Sequence, residues 1–457
     1  MHRVLEGKKY HIETMGCQMN ERDSETIAGL LEELGARSVS AAGADLKLAR
    51  NEADLIFVNT CSVRENADNR FFGILGQLKK VKETRPETLV GVCGCMMQQQ
   101  TVVDRVRGKF GWVDLVFGTH NIHTLPELIS NAIEENDKIV SVWKEAEKIV
   151  EGLPSKRAFP FKAYVNIMYG CDNYCTYCIV PYTRGRERSR GPADVEAEVR
   201  RLAEDGVKEI MLLGQNVNSY RGEDEGGLCM DFPSLIRRLD AVKGIERIRF
   251  MTSHPKDFSE GLINVYLECP SLCPALHLPI QSGSSRILKR MNRRYTKEGY
   301  LSLIVGLRNK LPDLTLTTDF IVGFPGETDE DFEDTMDVIE KVRFDSAFTF
   351  LFSPRQGTPA ADYGDQVPEE IKHERFNRMV RRLNEITLEN NLARVGRVEQ
   401  VLIEGRSKTN PKALTGRTPG GRLVNIPGNE GIEGIIGQIT DVRLTGAATF
   451  SFLGELV

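Results

Sequence analysis

The chain has 457 residues, enough for two to four domains at the usual ~100 to 200 residues each. No run of 18 apolar residues occurs, and Met1 to Lys9 place no apolar stretch behind their basic side chains, so no membrane span or secretory signal is expected and the expected location is cytoplasmic. A formal net charge of -5 and a pI near 6.0 exclude a uniformly basic nucleic-acid binder, which confines any such contact to a local patch.

In chain order, apolar runs at 10–14, 53–59, 88–93 and 114–117 alternate with helical segments starting near Asn20, Ser62, Met96 and Ile122. That alternation predicts an α/β domain with a parallel sheet over residues 1–145. A polar stretch broken by Gly152, Pro154 and Pro160 predicts a linker over 146–160. From Phe161, strands at 162–168, 209–213, 247–252, 275–280, 315–322 and 346–352, each followed by a helical segment, predict a partial six-unit (β/α) barrel over 161–393. A ligand site is then expected at the strands' C-terminal ends. The last helix of that region carries Arg375, Arg378, Arg381 and Arg382 and reads as a solvated helix. Beyond it, short strands at 399–404, 423–426, 437–442 and 448–453 between Gly-rich turns predict a small all-β barrel of five strands over 394–457, a class that often binds single-stranded nucleic acid.

Ten cysteines spread over a large charged chain point to metal-binding thiolates rather than a disulfide framework. Cys171, Cys175 and Cys178 form a C-x3-C-x2-C loop directly after the first barrel strand, with Gly170, Asp172 and Asn173 as turn residues. Three thiolates so close in sequence can converge on one cluster and leave one iron open to a reactant. A zinc site completed by a fourth ligand from elsewhere is the alternative. The spacing and its place before a partial barrel resemble the radical S-adenosylmethionine superfamily. The resemblance implies a [4Fe-4S] cluster on these three cysteines and S-adenosylmethionine on its open iron. It also implies that Tyr177 packs near the adenine and that Gly214, Gln215, Asn216, Gln281, Ser282, Gly283 and residues Asp319 to Gly323 line the cofactor. Taken singly, the glycines and polar residues at strand ends are ordinary turn chemistry.

Cys17, Cys61 and Cys95 each follow a predicted strand and open a predicted helix. In a parallel sheet all three emerge at one edge, where helix N-termini favour thiolates and an anionic cluster. Cys93, Cys229, Cys269 and Cys273 read as packing residues instead. The words Gly16-Cys17-Gln18-Met19-Asn20, Asn59-Thr60-Cys61-Ser62-Val63-Arg64-Glu65 and Gly94-Cys95-Met96-Met97-Gln98 resemble the methylthiotransferases over the entire chain, which implies a second [4Fe-4S] cluster and a C-terminal barrel of the TRAM type. Met15 and Met97 depart from the usual pattern and leave every ligand in place.

Substrate is divided within that family among an adenosine bearing an isopentenyl group, an adenosine bearing a threonylcarbamoyl group, and a ribosomal-protein aspartate. Cys17 to Asn20, Ile167 to Cys171, Pro181 to Glu187 and Thr252-Ser253-His254-Pro255 most resemble the first, the MiaB family. The resemblance implies methylthiolation at C2 of the modified adenosine at position 37 in the anticodon stem-loop of tRNA, S-adenosylmethionine as radical source and methyl donor, an external electron donor and a monomer. Arg184, Arg186, Arg188 and Arg190 lie next to the radical cysteines beside Tyr177 and Tyr182, and such a patch can seat phosphates and stack a splayed base. The same arginines can equally pair with acidic residues and the cofactor carboxylate. A non-enzymatic iron-sulfur RNA sensor is the rival from another class, and it leaves the barrel with its three-cysteine mouth unexplained.

Overall fold

Six parallel strands build the first sheet, in the order Arg37–Ser38, Lys9–Thr14, Leu55–Thr60, Leu89–Gly94, Leu115–Phe117, Ile139–Ser141. The computed structural model describes residues 3–39, 45–62, 65–135, 137–145, 148–224, 226–408, 410–428 and 432–457. Val63 and Arg64 of the second cysteine word, and residues 146 and 147 of the expected linker, lie outside the described residues. Leu55–Thr60 is buried along its whole length. Its alternate side chains feed two cores, Phe57 on one face with Leu115 and Phe117, Ile56 and Val58 on the other with Leu75 and Val92. A strand sandwiched between helical layers reads as a continuous apolar run, as this one does.

The two outermost strands, two and three residues long, and the helix Leu46–Glu52 are additions to the sequence expectation. The expected linker is packed rather than loose. A Cβ on Gly29, in helix Gln18–Glu33, would lie 2.6 Å from the Pro154 carbonyl carbon, and the Lys156 amide donates to Glu25 O at 2.8 Å.

The second region holds two parallel three-stranded arcs, Lys162–Asn166, Glu209–Leu213, Arg247–Phe250 and then Ala275–His277, Thr315–Val322, Ser346–Leu351. One apolar core runs through both arcs, from Val165, Ile210 and Ile248 to Leu316 and Phe320. Six βα units thus form the partial barrel, with the C-terminal ends of the strands at one mouth. The helix of arginines, Glu369–Leu392, is not simply solvated. Arg375 is buried between Glu327 (2.9 Å) and Asp329 (2.6 Å), while Arg378 and Arg382 pair with Glu333 and Glu340 on the helix Asp329–Val342.

The last region is a closed five-stranded barrel, Val398–Arg406, Ala413–Arg417, Leu423–Pro427, Ser451–Leu456, Ile439–Ala447, around Val401, Ile403, Leu414, Val424, Val442 and Phe452. Ala413–Arg417 is the strand the sequence pattern did not reveal. This barrel sits under the floor of the larger one, at the N-terminal ends of its strands. Arg247 donates to Gln400 O (2.7 Å) and Arg417 O (3.0 Å), Arg249 to Pro419 O (2.6 Å) and Thr418 O (2.8 Å), and Glu209 forms an ion pair with Arg249 at 2.9 Å. Lys162 with Glu404 and Arg422 with Asp345 extend the contact. Among the described residues no helix is long and apolar enough to cross a membrane.

Candidate active site

The loop of Cys171, Cys175 and Cys178 is set at the barrel mouth by backbone bonds to distant segments. Gly170, at φ +77, lets the chain pass against the Arg186 carbonyl, where a Cβ would collide. Cys171 N–H then bonds Gly185 O at 3.2 Å, Thr176 N–H bonds Met291 O at 3.1 Å, and the Asn292 amide donates to Asn173 O and Tyr174 O. Burial pushes the Cys171 thiol up to about 11 and Cys178 up to about 12. Thiolates here therefore require a cation or metal to compensate their desolvation. Arg293, itself buried, supplies one such charge. It approaches Cys175 Sγ at 3.6 Å while donating to Pro279 O and Tyr295 Oη.

The cofactor residues implied by the resemblance sort into two kinds. Gln215 and Asn216 follow the second strand, and each leaves a buried amide oxygen without a hydrogen-bond partner among the described residues. Asn166 Oδ1, Ser253 Oγ and His254 Nε2, at the ends of the first and third strands, are likewise unpartnered. Buried polar atoms are normally paired, so five orphans at adjoining strand ends fit a polar ligand such as the amino-acid head and ribose of S-adenosylmethionine. The Lys256 amide donates to His254 Nδ1 at 3.2 Å, and burial together with Arg293 pushes the imidazole down to about 2. The ring is thus neutral with its proton on Nε2. Asp319, at the other arc, faces His277 Nε2 at 3.3 Å. Tyr177 packs against the apolar cluster of Ile287, Met291, Phe324 and Phe352.

Others of that set have packing reasons for being what they are. A Cβ on Gly214 would collide with Met168, one on Gly283 with the Asp334 carbonyl, and one on Gly323 with Lys372. Gln281, at φ +75, accepts from Ile321 N–H and donates its own to Asp319 O, and Ser282 Oγ accepts from Ser284 N–H at 3.2 Å.

Cys17, Cys61 and Cys95 stand at the C-terminal edge of the first sheet, after the strands Lys9–Thr14, Leu55–Thr60 and Leu89–Gly94. Asn20, fully buried, links their loops. Its amide nitrogen donates to Met15 O at 2.8 Å and Thr60 O at 2.7 Å, and its Oδ1 lies 4.0 Å from Cys17 Sγ and 3.7 Å from Cys95 Sγ. A hydrogen bond with Cys61, then the Arg184 charge and the Asn20 and Met19 amides, pull the Cys17 thiol down to about 6 against its burial. Cys95 goes the other way, raised by full burial and only partly compensated by Arg184. Cys93 is buried with its thiol far above the usual range, as a packing residue would be. Among the described residues no three His, Cys, Asp or Glu side chains surround a single ion-sized point. A cluster, whose several irons hold its thiolates further apart than one zinc does, needs no such point.

Of the four arginines expected to meet RNA, two cannot. Arg184 is 4% exposed and bonds Cys95 Sγ (3.0 Å), Asn20 Oδ1 (3.0 Å) and Asp23 Oδ2 (2.7 Å). Arg190 is 5% exposed and pairs with Glu198 at 2.6 Å and with Glu151. Buried guanidiniums need such partners, and their burial keeps both away from a phosphate backbone at the surface. Arg188 is half-buried, while Arg186 is exposed, in a two-point pair with Asp172 at 2.8 and 3.0 Å. Near it stands an exposed edge-to-face pair, Tyr174 and Tyr182, with centroids 6.1 Å apart.

The edge that carries Cys17, Cys61 and Cys95 lies against the barrel that carries the other three cysteines. Gln215 touches Met19, Gln18 Nε2 lies 3.6 Å from Met251 Sδ, and Thr119 Oγ1 donates to Thr183 O at 3.4 Å, so the edge of the sheet closes on the mouth of the barrel. Arg293, His254 and Asn20 were missed as site residues in the sequence. His254 and Asn20 stood inside quoted words, whereas Arg293 sat in an unremarkable basic run.

Family models match at three places. Residues 165–339 match the radical SAM superfamily, residues 9–118 the uncharacterized protein family UPF0004, and residues 392–457 the TRAM domain. A tRNA-2-methylthio-N(6)-dimethylallyladenosine synthase of Alkaliphilus oremlandii is 52% identical over 98% of this chain and 93% of its own length. One of the same name from Clostridioides difficile is 50% identical over 100% and 93%. Among solved structures, the radical S-adenosylmethionine methyltransferase TsrM from Kitasatospora setae superposes with a TM-score of 0.57 at 15% identity over 77% of this chain and 74% of that one, a likeness of fold. At half identity over nearly the full length, the chain belongs to the family of tRNA-2-methylthio-N(6)-dimethylallyladenosine synthases.

Proposed function

We propose that this protein adds a methylthio group to C2 of the N6-isopentenyl (dimethylallyl) adenosine at position 37 of tRNA, with one [4Fe-4S] cluster on Cys171, Cys175 and Cys178 and a second on Cys17, Cys61 and Cys95. What supports this reading is the link between the two cysteine sets: Arg184 is bonded to Cys95 from the same turn whose Gly185 carbonyl holds Cys171 N–H. When bound, the clusters and S-adenosylmethionine supply reductive formation of a 5'-deoxyadenosyl radical, a sulfur source and a methyl donor.

The chain's own residues do the rest. Asn166, Gln215, Asn216, Ser253 and His254 offer unpartnered polar atoms to the cofactor, and Arg293 offsets charge beside Cys175. The Phe324 and Phe352 cluster under Tyr177 keeps that side of the loop dry. The anticodon stem-loop presents its splayed base to the mouth, with Tyr174, Tyr182 and Arg186 as the exposed contacts beside it and the small C-terminal barrel as a second contact. A monomer working in the cytoplasm with an external electron donor completes the reading.

The test compares alanine variants of the two triads in anaerobic, reduced protein. Loss of Cys171, Cys175 or Cys178 abolishes 5'-deoxyadenosine formation. Loss of Cys17, Cys61 or Cys95 spares part of it and stops methylthiolation, read by nucleoside mass analysis of tRNA. Full product from Cys61→Ala refutes the second cluster.

A further inference from the structure

Arg184 belongs to the barrel in sequence, six residues after Cys178, yet its side chain ends among the cysteines of the other domain. Its Nε–H donates to Cys95 Sγ at 3.0 Å, and its terminal nitrogen donates to Asn20 Oδ1 at 3.0 Å and Asp23 Oδ2 at 2.7 Å. Asn20 in turn holds the carbonyls of Met15 and Thr60, just ahead of Cys17 and Cys61. One guanidinium and one amide therefore touch all three cysteine loops. The next residue, Gly185, accepts the Cys171 N–H, so the same turn reaches the radical triad.

We propose that Arg184 is the positioning residue of the second cluster, fixing the Cys17, Cys61 and Cys95 set against the radical site and making that cluster easier to reduce. This rests on the assignment of the three cysteines to that cluster. The charge count favours it. A buried guanidinium is costly unless paired, and among the described residues Asp23 is the carboxylate bonded to it. The remaining partners are a sulfur and an amide, so anionic thiolates carrying a cluster complete its compensation. An N–H donor and a positive charge at a ligating sulfur favour the more negative, reduced state of a cluster and orient the ligand.

The experiment uses the full chain in two backgrounds, unaltered and with Cys171, Cys175 and Cys178 all changed to Ala, so that only the second cluster remains. Each receives Arg184→Gln or Arg184→Lys, is reconstituted anaerobically with iron and sulfide, and is followed by iron content, EPR and redox titration. In the triple-Ala background, Arg184→Gln lowers the cluster's midpoint potential and speeds iron loss to a chelator about 10- to 100-fold. Arg184→Lys, which keeps the charge without the fork, recovers part of the potential. In the unaltered background both variants still form 5'-deoxyadenosine. Absence of any cluster in the triple-Ala chain overturns the cysteine assignment and this inference with it. A cluster whose potential and chelator rate ignore Arg184 overturns this inference alone. If Arg184→Gln does not fold, Asp23→Asn keeps the guanidinium and removes the carboxylate that offsets its charge; an upward shift of the midpoint potential supports the role, and an unchanged potential overturns it.

Discussion

Gly16 and Cys61 are packed so closely that a Cβ on the glycine would lie 2.5 Å from Cys61 Cβ and 2.8 Å from its sulfur. The glycine also sits at φ +117, a conformation side chains rarely adopt. Gly16→Ala must therefore displace Cys61 or the turn that carries Cys17. The variant is expected to hold the iron of one cluster only and to form 5'-deoxyadenosine without methylthiolated product. Iron analysis after reconstitution checks it, and a full complement of iron would count against the placement of Cys61 as a ligand.

His254 carries a proton on Nε2 for which the described residues provide no acceptor. If the cofactor supplies that acceptor, His254→Phe keeps the ring's edge-to-face contact with Tyr295 and removes that hydrogen bond together with the one Nδ1 accepts from the Lys256 amide. A buried hydrogen bond contributes about 1 kcal/mol net, or somewhat more to a charged group, so the KM for S-adenosylmethionine rises about 5- to 30-fold, and loss of the Lys256 amide's acceptor lowers the melting temperature slightly. An unaltered KM in cofactor-cleavage assays places His254 outside the cofactor's reach.

Glu13 is buried against Arg50, which bonds both its oxygens at 2.5 and 2.7 Å. Burial alone would raise its pKa, but the hydrogen bonds and charges of His11 and Arg50 win and bring it from 4.5 down to about 2. A carboxylate depressed on folding adds stability that is fully present above about 4.5 and is lost as the pH falls through about 2. The size is about 3 kcal/mol at neutral pH. Urea unfolding of wild type and Glu13→Gln should differ by that order at pH 7 and converge as the pH drops below 4.5. A gap that stays constant with pH assigns the effect to packing.

Tyr174 and Tyr182 stand exposed beside the radical loop, with Arg186 held nearby by Asp172. Stacking on an unpaired base is worth about 1 to 3 kcal/mol per base, so Tyr174→Ala with Tyr182→Ala weakens binding of a modified anticodon stem-loop at least about fivefold. Cofactor cleavage without RNA stays at the parent rate. Filter binding at two salt concentrations separates stacking from charge, because loss of a stacking contact leaves the salt slope unchanged.

The places of the six cysteines were legible because their short words follow apolar strands, at the ends where the chain turns toward a helix or loop. Arg184 was not. A local run of Arg184, Arg186, Arg188 and Arg190 looks uniformly basic, and only the fold brings Asp23 and Cys95 to one of them and Glu198 to another. Long strands such as Thr315–Val322 announced themselves by pattern. Arg37–Ser38 and Ile139–Ser141 are too short to show one. Ala413–Arg417 hid because its Leu-Thr-Gly sequence lacks alternation and is made a strand by its neighbours in the closed barrel. Arg293 escaped for the same reason as Arg184, since its partner Cys175 lies 118 residues away.

The small barrel bolted beneath the large one by Arg247 and Arg249 has a geometric consequence. It stoppers the end away from the cysteines, so traffic to the reacting centre passes through the mouth or the open seam between the first and last strands. An RNA that touches the small barrel and offers a base to the mouth must run along the outside of the larger one, from stopper to opening. The protein then acts as a caliper: a stem-loop of the wrong length can satisfy one jaw only.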